Sequence, residues 1–288
     1  MRIFVTGKNG KVGNAFFEYM CRRHPDVMVD RVSVKPDVLC QLDFSGYDAV
    51  YCCIGITDEN SSELFSVNRD LCFEIAKKSR DEGVKDFIYL SSMAVYDFSE
   101  SSNMSPVCAD TPANPVRNYG RSKIEGEKLI KQLSDDSFRV HIVRAPSIYG
   151  YGLDAYLQYY KRQADRRVFL DAFHDMKRSA IYADNLSELV YLICTGNNAE
   201  SLSYYFPQNR DAMSYIEFIK AVSLSENKKP ILIKVPQSFE SILFKNKRIR
   251  DRYRAVMYDM DLSGHFNWRY NVVSSKDSVR ITFGDFTK

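Results

Sequence analysis

Arg2-Ile3-Phe4-Val5-Thr6-Gly7-Lys8-Asn9-Gly10-Lys11-Val12-Gly13 opens the chain with a short apolar run, a glycine turn and a helical pattern continuing to about Arg23. The glycines follow the spacing G-x-x-G-x-x-G. A strand that feeds a helix through such a loop offers unpaired backbone N–H groups and the positive end of a helix dipole to a phosphate. Gly7 permits the tight turn, Gly10 lets the backbone approach a pyrophosphate, and Gly13 lets the helix pack close to the strand. Asn9, Lys11 and Val12, lying between the glycines, are candidate contacts to the same group. The stretch predicts a dinucleotide site at the head of an α/β fold.

Outward from this loop, apolar runs alternate with helical patterns. Strands are expected at Val29–Val34, Val38–Leu42, Asp48–Ile54, Asp86–Ser91 and Arg139–Arg144, with long helices over about Ser61–Glu82 and Asn118–Leu133. That alternation predicts βαβ units in a doubly wound, Rossmann-type parallel sheet. A chain of 288 residues has room for such a domain and a smaller companion. Residues 1–150, with 178–207 returning, are expected to form the dinucleotide-binding domain. Residues 151–177 and 208–288 are expected to form a C-terminal substrate lobe. There Leu153–Ala164 and Ser214–Leu224 read as helices and Ile231–Val235 as a strand, while Tyr204–Pro207 returns to the sheet edge. Residues 97–118, rich in Ser, Asn, Pro and Asp, read as a loop that can act as a flap.

Open α/β sheets bind ligands beyond the carboxyl ends of their strands. Lys35 follows the second strand, where an acid would meet a free ribose hydroxyl; a cation suits a 2′-phosphate, which tilts the expectation toward NADP, with NAD the alternative. Asp43 is placed to meet an adenine amino group. Cys53 and Gly55 end the Asp48 strand, and Ser91 and Ser92 end the Asp86 strand. Tyr119 and Lys123, four apart, share one helix face. A fixed ammonium beside a phenol favours the phenolate, which makes the pair a general acid/base for a sugar or alcohol oxygen. Ser92 can hold that oxygen.

Composition removes other classes. Hydrophobic content of 45% and charged content of 27% are ordinary for a globular chain, and a net charge of +3 is too small to argue for nucleic acid. The first residues lack a signal-peptide pattern, and nothing approaches the roughly 20 apolar residues of a membrane span. Seven scattered cysteines without a C-x-x-C pair read as reduced thiols, and so as a cytoplasmic protein. The four histidines lack ligand spacing, so no metal is expected.

In order and spacing these segments resemble the extended short-chain dehydrogenase/reductase family, the branch that works on nucleotide-activated sugars, over residues 1 to about 210. Leu90-Ser91-Ser92-Met93-Ala94-Val95-Tyr96 is similar to the family's S-S-x-x-V-Y, which implies a catalytic role for Ser92 beside Tyr119 and Lys123. Asn68 matches a helix Asn that supports the Lys through water. Val143-Arg144-Ala145-Pro146-Ser147-Ile148-Tyr149-Gly150 is similar to R-P-x-x-V-Y-G, bringing Ala145 and Ile148 to the nicotinamide end and Ser147 to the substrate. Arg178 matches the Arg that grips the substrate's diphosphate, a task suited to a guanidinium fork. The family also implies a homodimer built on the helices Ser61–Glu82 and Asn118–Leu133.

Departures narrow the activity. Met93 and Ala94 stand where the 4,6-dehydratases carry an Asp-Glu pair, and Ser147 where many 4-epimerases carry Asn. The glycine loop and short third-strand region look like those of dTDP-4-dehydrorhamnose reductases, although these usually have Thr-Asp-Tyr at Ser92-Met93-Ala94. The expectation is an NAD(P)-dependent reductase of a nucleotide-linked keto-sugar. The alternatives are an NDP-sugar epimerase holding NAD tightly and a dinucleotide-sensing regulatory protein. Lys245–Arg254, with six basic residues and one acid, reads as an anion site offering Arg252 and Arg254 to the substrate's phosphates, as a solvated basic face, or as a surface for an anionic membrane or partner.

Overall fold

The computed structural model describes residues 1–96, 106–150, 152–153, 155–166, 168–196 and 200–283. The first half runs β1 (Arg2–Thr6), α1 (Lys11–Arg23), β2 (Met28–Val32), α2 (Pro36–Leu39), β3 (Ala49–Cys52), α3 (Cys72–Asp81), β4 (Asp86–Ser92), α4 (Asn118–Ile130) and β5 (Arg139–Ala145). The second half runs β6 (Ser147–Tyr149), α5 (Ala155–Ala164), β7 (Val168–Asp171), β8 (Lys177–Arg178), β9 (Ala180–Tyr182), α6 (Ala183–Thr195) and β10 (Leu202–Tyr205). It ends with β11 (Met213–Ser214), α7 (Tyr215–Ser225), β12 (Ile231–Lys234), α8 (Gln237–Leu243), α9 (Lys247–Tyr253) and α10 (Ser275–Phe283).

Six parallel strands form the central sheet in the order β10-β5-β4-β3-β1-β2. The chain steps from β1 to β2 on one side and then crosses to β3 on the other, which opens a crevice at their carboxyl ends. One face buries Phe16 and Tyr19 of α1 with Leu189 and Ile193 of α6 against Ile3, Val5 and Ile88. The other buries Ile75 of α3 and Ile130 of α4 against Phe4, Val50 and Phe87. Each such side chain contributes about 1.5–3 kcal/mol when taken fully from water. A separate cluster of Tyr149, Tyr160, Tyr182, Tyr215 and Phe218 holds α5 and α7 together.

Two expectations are corrected. Val38–Leu42 is not a strand: Pro36 sits at the first helical position behind an extended Lys35, a placement that suits proline's fixed φ, and α2 results. The sheet therefore ends at β2. The long helix from Ser61 becomes a π-helical turn, Ser66–Leu71, running into α3. The remaining expected elements are present, with Ser214 capping α7 through a reciprocal bond to Glu217. Of the expected flap, residues 97–105 lie outside the described residues. Val107 beyond them pairs with Tyr258, and its N–H donates to the Met257 carbonyl at 2.9 Å.

Candidate active site

The glycine loop is built as its spacing demands. Gly7 has φ +84°, and a Cβ on Gly13 would stand 3.0 Å from the Gly7 carbonyl oxygen. No side chain caps the start of α1, and no acid lies in its first turn, so its amide donors remain available to an anion. At the ends of β1 and β3, Thr6 Oγ1 accepts from the backbone N–H groups of Cys53 and Ile54 at 3.1 and 3.2 Å. Burial pushes the Cys53 thiol up to about 12, so it lines the crevice as a neutral group.

A cleft of about 540 Å³ opens at these strand ends. Its walls bring together Val12, Cys53, Gly55, Ser91, Ser92, Tyr119, Lys123, Ala145, Ser147, Ile148 and Arg178, which the sequence spreads over 167 positions from 12 to 178. Ser92 ends β4 and accepts from the Ala94 N–H at 3.1 Å, capping a 3₁₀ turn over Met93–Val95. Buried Lys123 donates from Nζ to the Leu90 carbonyl at 2.9 Å and stands 4.9 Å from the centroid of the Tyr89 ring, a cation–π contact. Glu59 Oε2 accepts the Tyr119 N–H at 3.0 Å, placing a carboxylate at the positive end of α4. A Cβ on Gly120 would fall inside the Ala94 carbonyl. Only glycine lets the helix of Tyr119 press directly on the turn of Ser92.

Other expected residues hold the surroundings of the cleft together. The Asn68 side chain bonds to both backbone groups of Ile56 at 2.8 Å and to Ser122 Oγ at 3.0 Å. Its carbonyl accepts from Tyr89 Oη at 2.7 Å. Asn68 thus ties the loop beside the cleft to α4. Ser91 donates its hydroxyl to buried Glu127, which leaves its backbone to face the cleft. Asp43 closes its own turn, accepting from the Ser45 N–H at 2.8 Å; bonding by Ser45 holds its carboxyl below the usual range. Asp43 and exposed Lys35 are not among the residues that line this cleft.

Arg178 lines the cleft from β8. Its Nη2 donates to the carbonyls of Arg252 and Asp251 at 2.7 and 3.3 Å, gripping the end of α9. Its Nε is buried without a hydrogen-bond partner. Arg252 therefore reaches the site through its carbonyl, and neither Arg252 nor Arg254 is among the lining residues.

Sequence reasoning passed over a buried network behind the cleft. Glu127 lies one turn beyond Lys123 and receives Arg144 Nη2 at 2.6 Å and Nε at 3.1 Å. Arg144 also donates to Tyr96 Oη at 2.7 Å, and Tyr258 Oη donates to the Arg144 carbonyl at 2.7 Å. Burial by itself would loosen the guanidinium's proton; Glu127 outweighs it and holds the proton more tightly than usual. The signal was there in the spacing: Glu127 follows Tyr119 and Lys123 at intervals of four. Arg31 was also missed, a cation inside an apolar strand. It donates to Asn14 Oδ1 and lies over the Phe17 ring, so it stands beside α1 near the glycine loop. Among the described residues no cluster of His, Cys, Asp or Glu could hold a metal ion.

A parallel sheet with a glycine loop at its switch point and a Ser, Tyr and Lys around one cleft defines a protein of the extended short-chain dehydrogenase/reductase class. Within it, the chain belongs to the RmlD substrate binding domain family, whose model matches residues 1–243. A dTDP-4-dehydrorhamnose reductase of Sinorhizobium fredii is 27% identical over 210 residues, covering 67% of this chain and 66% of that protein. A UDP-glucose 4-epimerase of Vibrio cholerae is 26% identical over 188 residues, covering 63% and 57%. The chain spans 43 to 66% of the lengths of the first curated relatives it matches. Among solved structures, RMD from Pseudomonas aeruginosa complexed with NADPH superposes with a TM-score of 0.73 at 20% identity, over 98% of this chain and 97% of that one.

Proposed function

We propose that the chain is an NAD(P)-dependent reductase of a nucleotide-linked keto-sugar. The observation that carries this reading is the meeting of Ser92, Tyr119, Lys123 and Arg178 around one cleft. The uncapped α1 terminus and the Gly7–Gly13 loop suit a dinucleotide's pyrophosphate, and the bound reduced nicotinamide would supply the hydride. Arg31 and Lys35, with no acid between them, favour the 2′-phosphate of NADP.

The chain's own residues supply the rest. Ser92 holds the carbonyl oxygen by its hydroxyl, and Tyr119 donates a proton to that oxygen. Lys123, pinned on Leu90, keeps a positive charge one turn below Tyr119. Arg178, on the cleft wall, would offer its guanidinium to the anionic end of the substrate. Met93 and Ala94 carry no acid or base, so no water is eliminated. Residues 1–150 with 178–207 act as the cofactor domain and 151–177 with 208–288 as the substrate lobe, in a cytoplasmic homodimer.

The test is NADPH and NADH oxidation, followed by absorbance, against a panel of nucleotide-linked 4-keto-6-deoxy sugars. Oxidation with at least one is expected. Interconversion of UDP-hexoses without net cofactor use would replace this reading with the epimerase, toward which the Vibrio cholerae relative points. Dinucleotide binding with neither reaction would leave a sensor.

A further inference from the structure

The basic run near the C-terminus takes no direct part in the site above, and its surroundings give it a different role. We propose that β12, α8 and the start of α9 form a docking surface for an anionic lipid bilayer.

The apolar half of the surface is unusual. Ile231 and Ile233 project from one face of β12 while Leu232 between them turns to the lobe core, and Phe239 and Ile242 stand three apart on α8. Each of the four leaves more than half of its surface to solvent. Val168, in register with Ile231 on the neighbouring strand, extends the patch. Scattered exposed aliphatics need no explanation, but a cluster on one element pair marks an interaction surface.

Charge selects the partner. Residues 228–254 hold nine basic residues and two acids, a net of +7 in a chain whose total is +3; the remaining residues therefore carry a net of −4. Lys228 is already paired with Asp165 and Glu226 at 2.6 and 2.7 Å, so the excess rests on the other cations. Lys229, Lys234, Lys245, Lys247 and Arg248 are exposed, flanking the apolar residues in sequence on both sides. Ile249 and Tyr253 of α9 face the core, which leaves the cationic side of that helix outward.

Aliphatic and phenyl groups set among lysines and arginines suit a bilayer interface, where the apolar groups enter the acyl boundary and the cations meet acidic headgroups. A second copy is a poor occupant, because a twofold contact sets each patch against itself and would oppose the same excess cations. Nucleic acid would satisfy the cations and leave the isoleucines and Phe239 without apolar partners. The surface also reaches the cleft wall, since α9 ends on the carbonyls gripped by Arg178.

The test is co-sedimentation of the full chain with phosphatidylcholine vesicles, with and without phosphatidylglycerol, at low and high salt. Pelleting is expected only with phosphatidylglycerol, and weaker at high salt. Lys245→Glu with Arg248→Glu should lower the apparent affinity by about tenfold or more. Phe239→Ser with Ile242→Ser should weaken it separately, with unchanged dinucleotide binding and melting temperature in both variants. The proposal fails if the chain ignores acidic vesicles or binds neutral ones equally. It also fails if both double variants bind like the parent. RNA or polyglutamate binding that the charge variant abolishes and the Phe239/Ile242 variant spares would assign the surface to another anion. A dimer that dissociates in the Phe239/Ile242 variant would assign it to a second copy.

Discussion

The two walls of the cleft hold their functional side chains in opposite ways. On the sheet side, Lys123, Asn68 and Glu127 are buried and bonded to main chain or to neighbouring side chains. Lys123 and Glu127 come from α4, which packs on β4, and Asn68 from the π-helical turn beside it. On the opposite wall, Arg178 stands on a two-residue strand, half-buried, with one nitrogen on the end of a seven-residue helix and another unpartnered. Reaction geometry tolerates little displacement, so in the proposed mechanism the residues that support the proton donor sit where packing leaves one arrangement, and substrate recognition falls to the wall with fewer constraints.

That contrast can be broken most sharply at Tyr119. Tyr119→Phe should lower kcat roughly 100- to 10,000-fold with unchanged melting temperature; turnover at the parental rate would remove the proton donor from the mechanism. Next in size is Glu127→Ala. It leaves Arg144 buried without its counter-charge, and loss of about 3–5 kcal/mol of stability is expected by denaturant unfolding. A loss under about 1 kcal/mol would mean that the sheet wall does not rely on this pair.

The third test is acid. Burial depresses His265 to about 4, and its Nε2 accepts the Phe206 N–H at 3.0 Å, which requires a neutral ring. Because the folded value lies below the ordinary 6.5, His265 contributes stability above that pH and loses it as the pH falls toward 4. The full loss is at most about 3 kcal/mol. His265→Gln should flatten the unfolding profile between those limits, and a profile as steep as the parent's would clear His265 of the effect. The smallest expected change is on the wall of Arg178: Arg178→Lys should raise KM for the sugar about tenfold and change kcat little. An equal fall in kcat and kcat/KM would place Arg178 in the transition state and erase the contrast between the walls.

Much of the site is readable from local rules. The glycine loop announces itself between a strand and a helix, and Tyr119, Lys123 and Glu127 share a face because α-helical spacing alone puts them there. Short apolar runs are less informative. Val38–Leu42 has a strand's composition, but Pro36 favours a helix start, and a run of that length fits either element. Asn68 was found by resemblance, yet its bonds to Ile56 and Ser122 depend on a π-helical turn that no periodicity foretold.

By itself, then, the sequence determined most of the alternation of strands and helices, the glycine loop and the shared face of Tyr119, Lys123 and Glu127, because these depend on backbone freedom and on residues within a few positions of each other. Only the tertiary structure decided that Gly120 must be glycine, that Ser91 belongs to Glu127 and Arg144, and that Arg178 spans the cleft and the end of α9. Those facts depend on which distant backbone arrives at each position, and that is set when the sheet and the lobe pack.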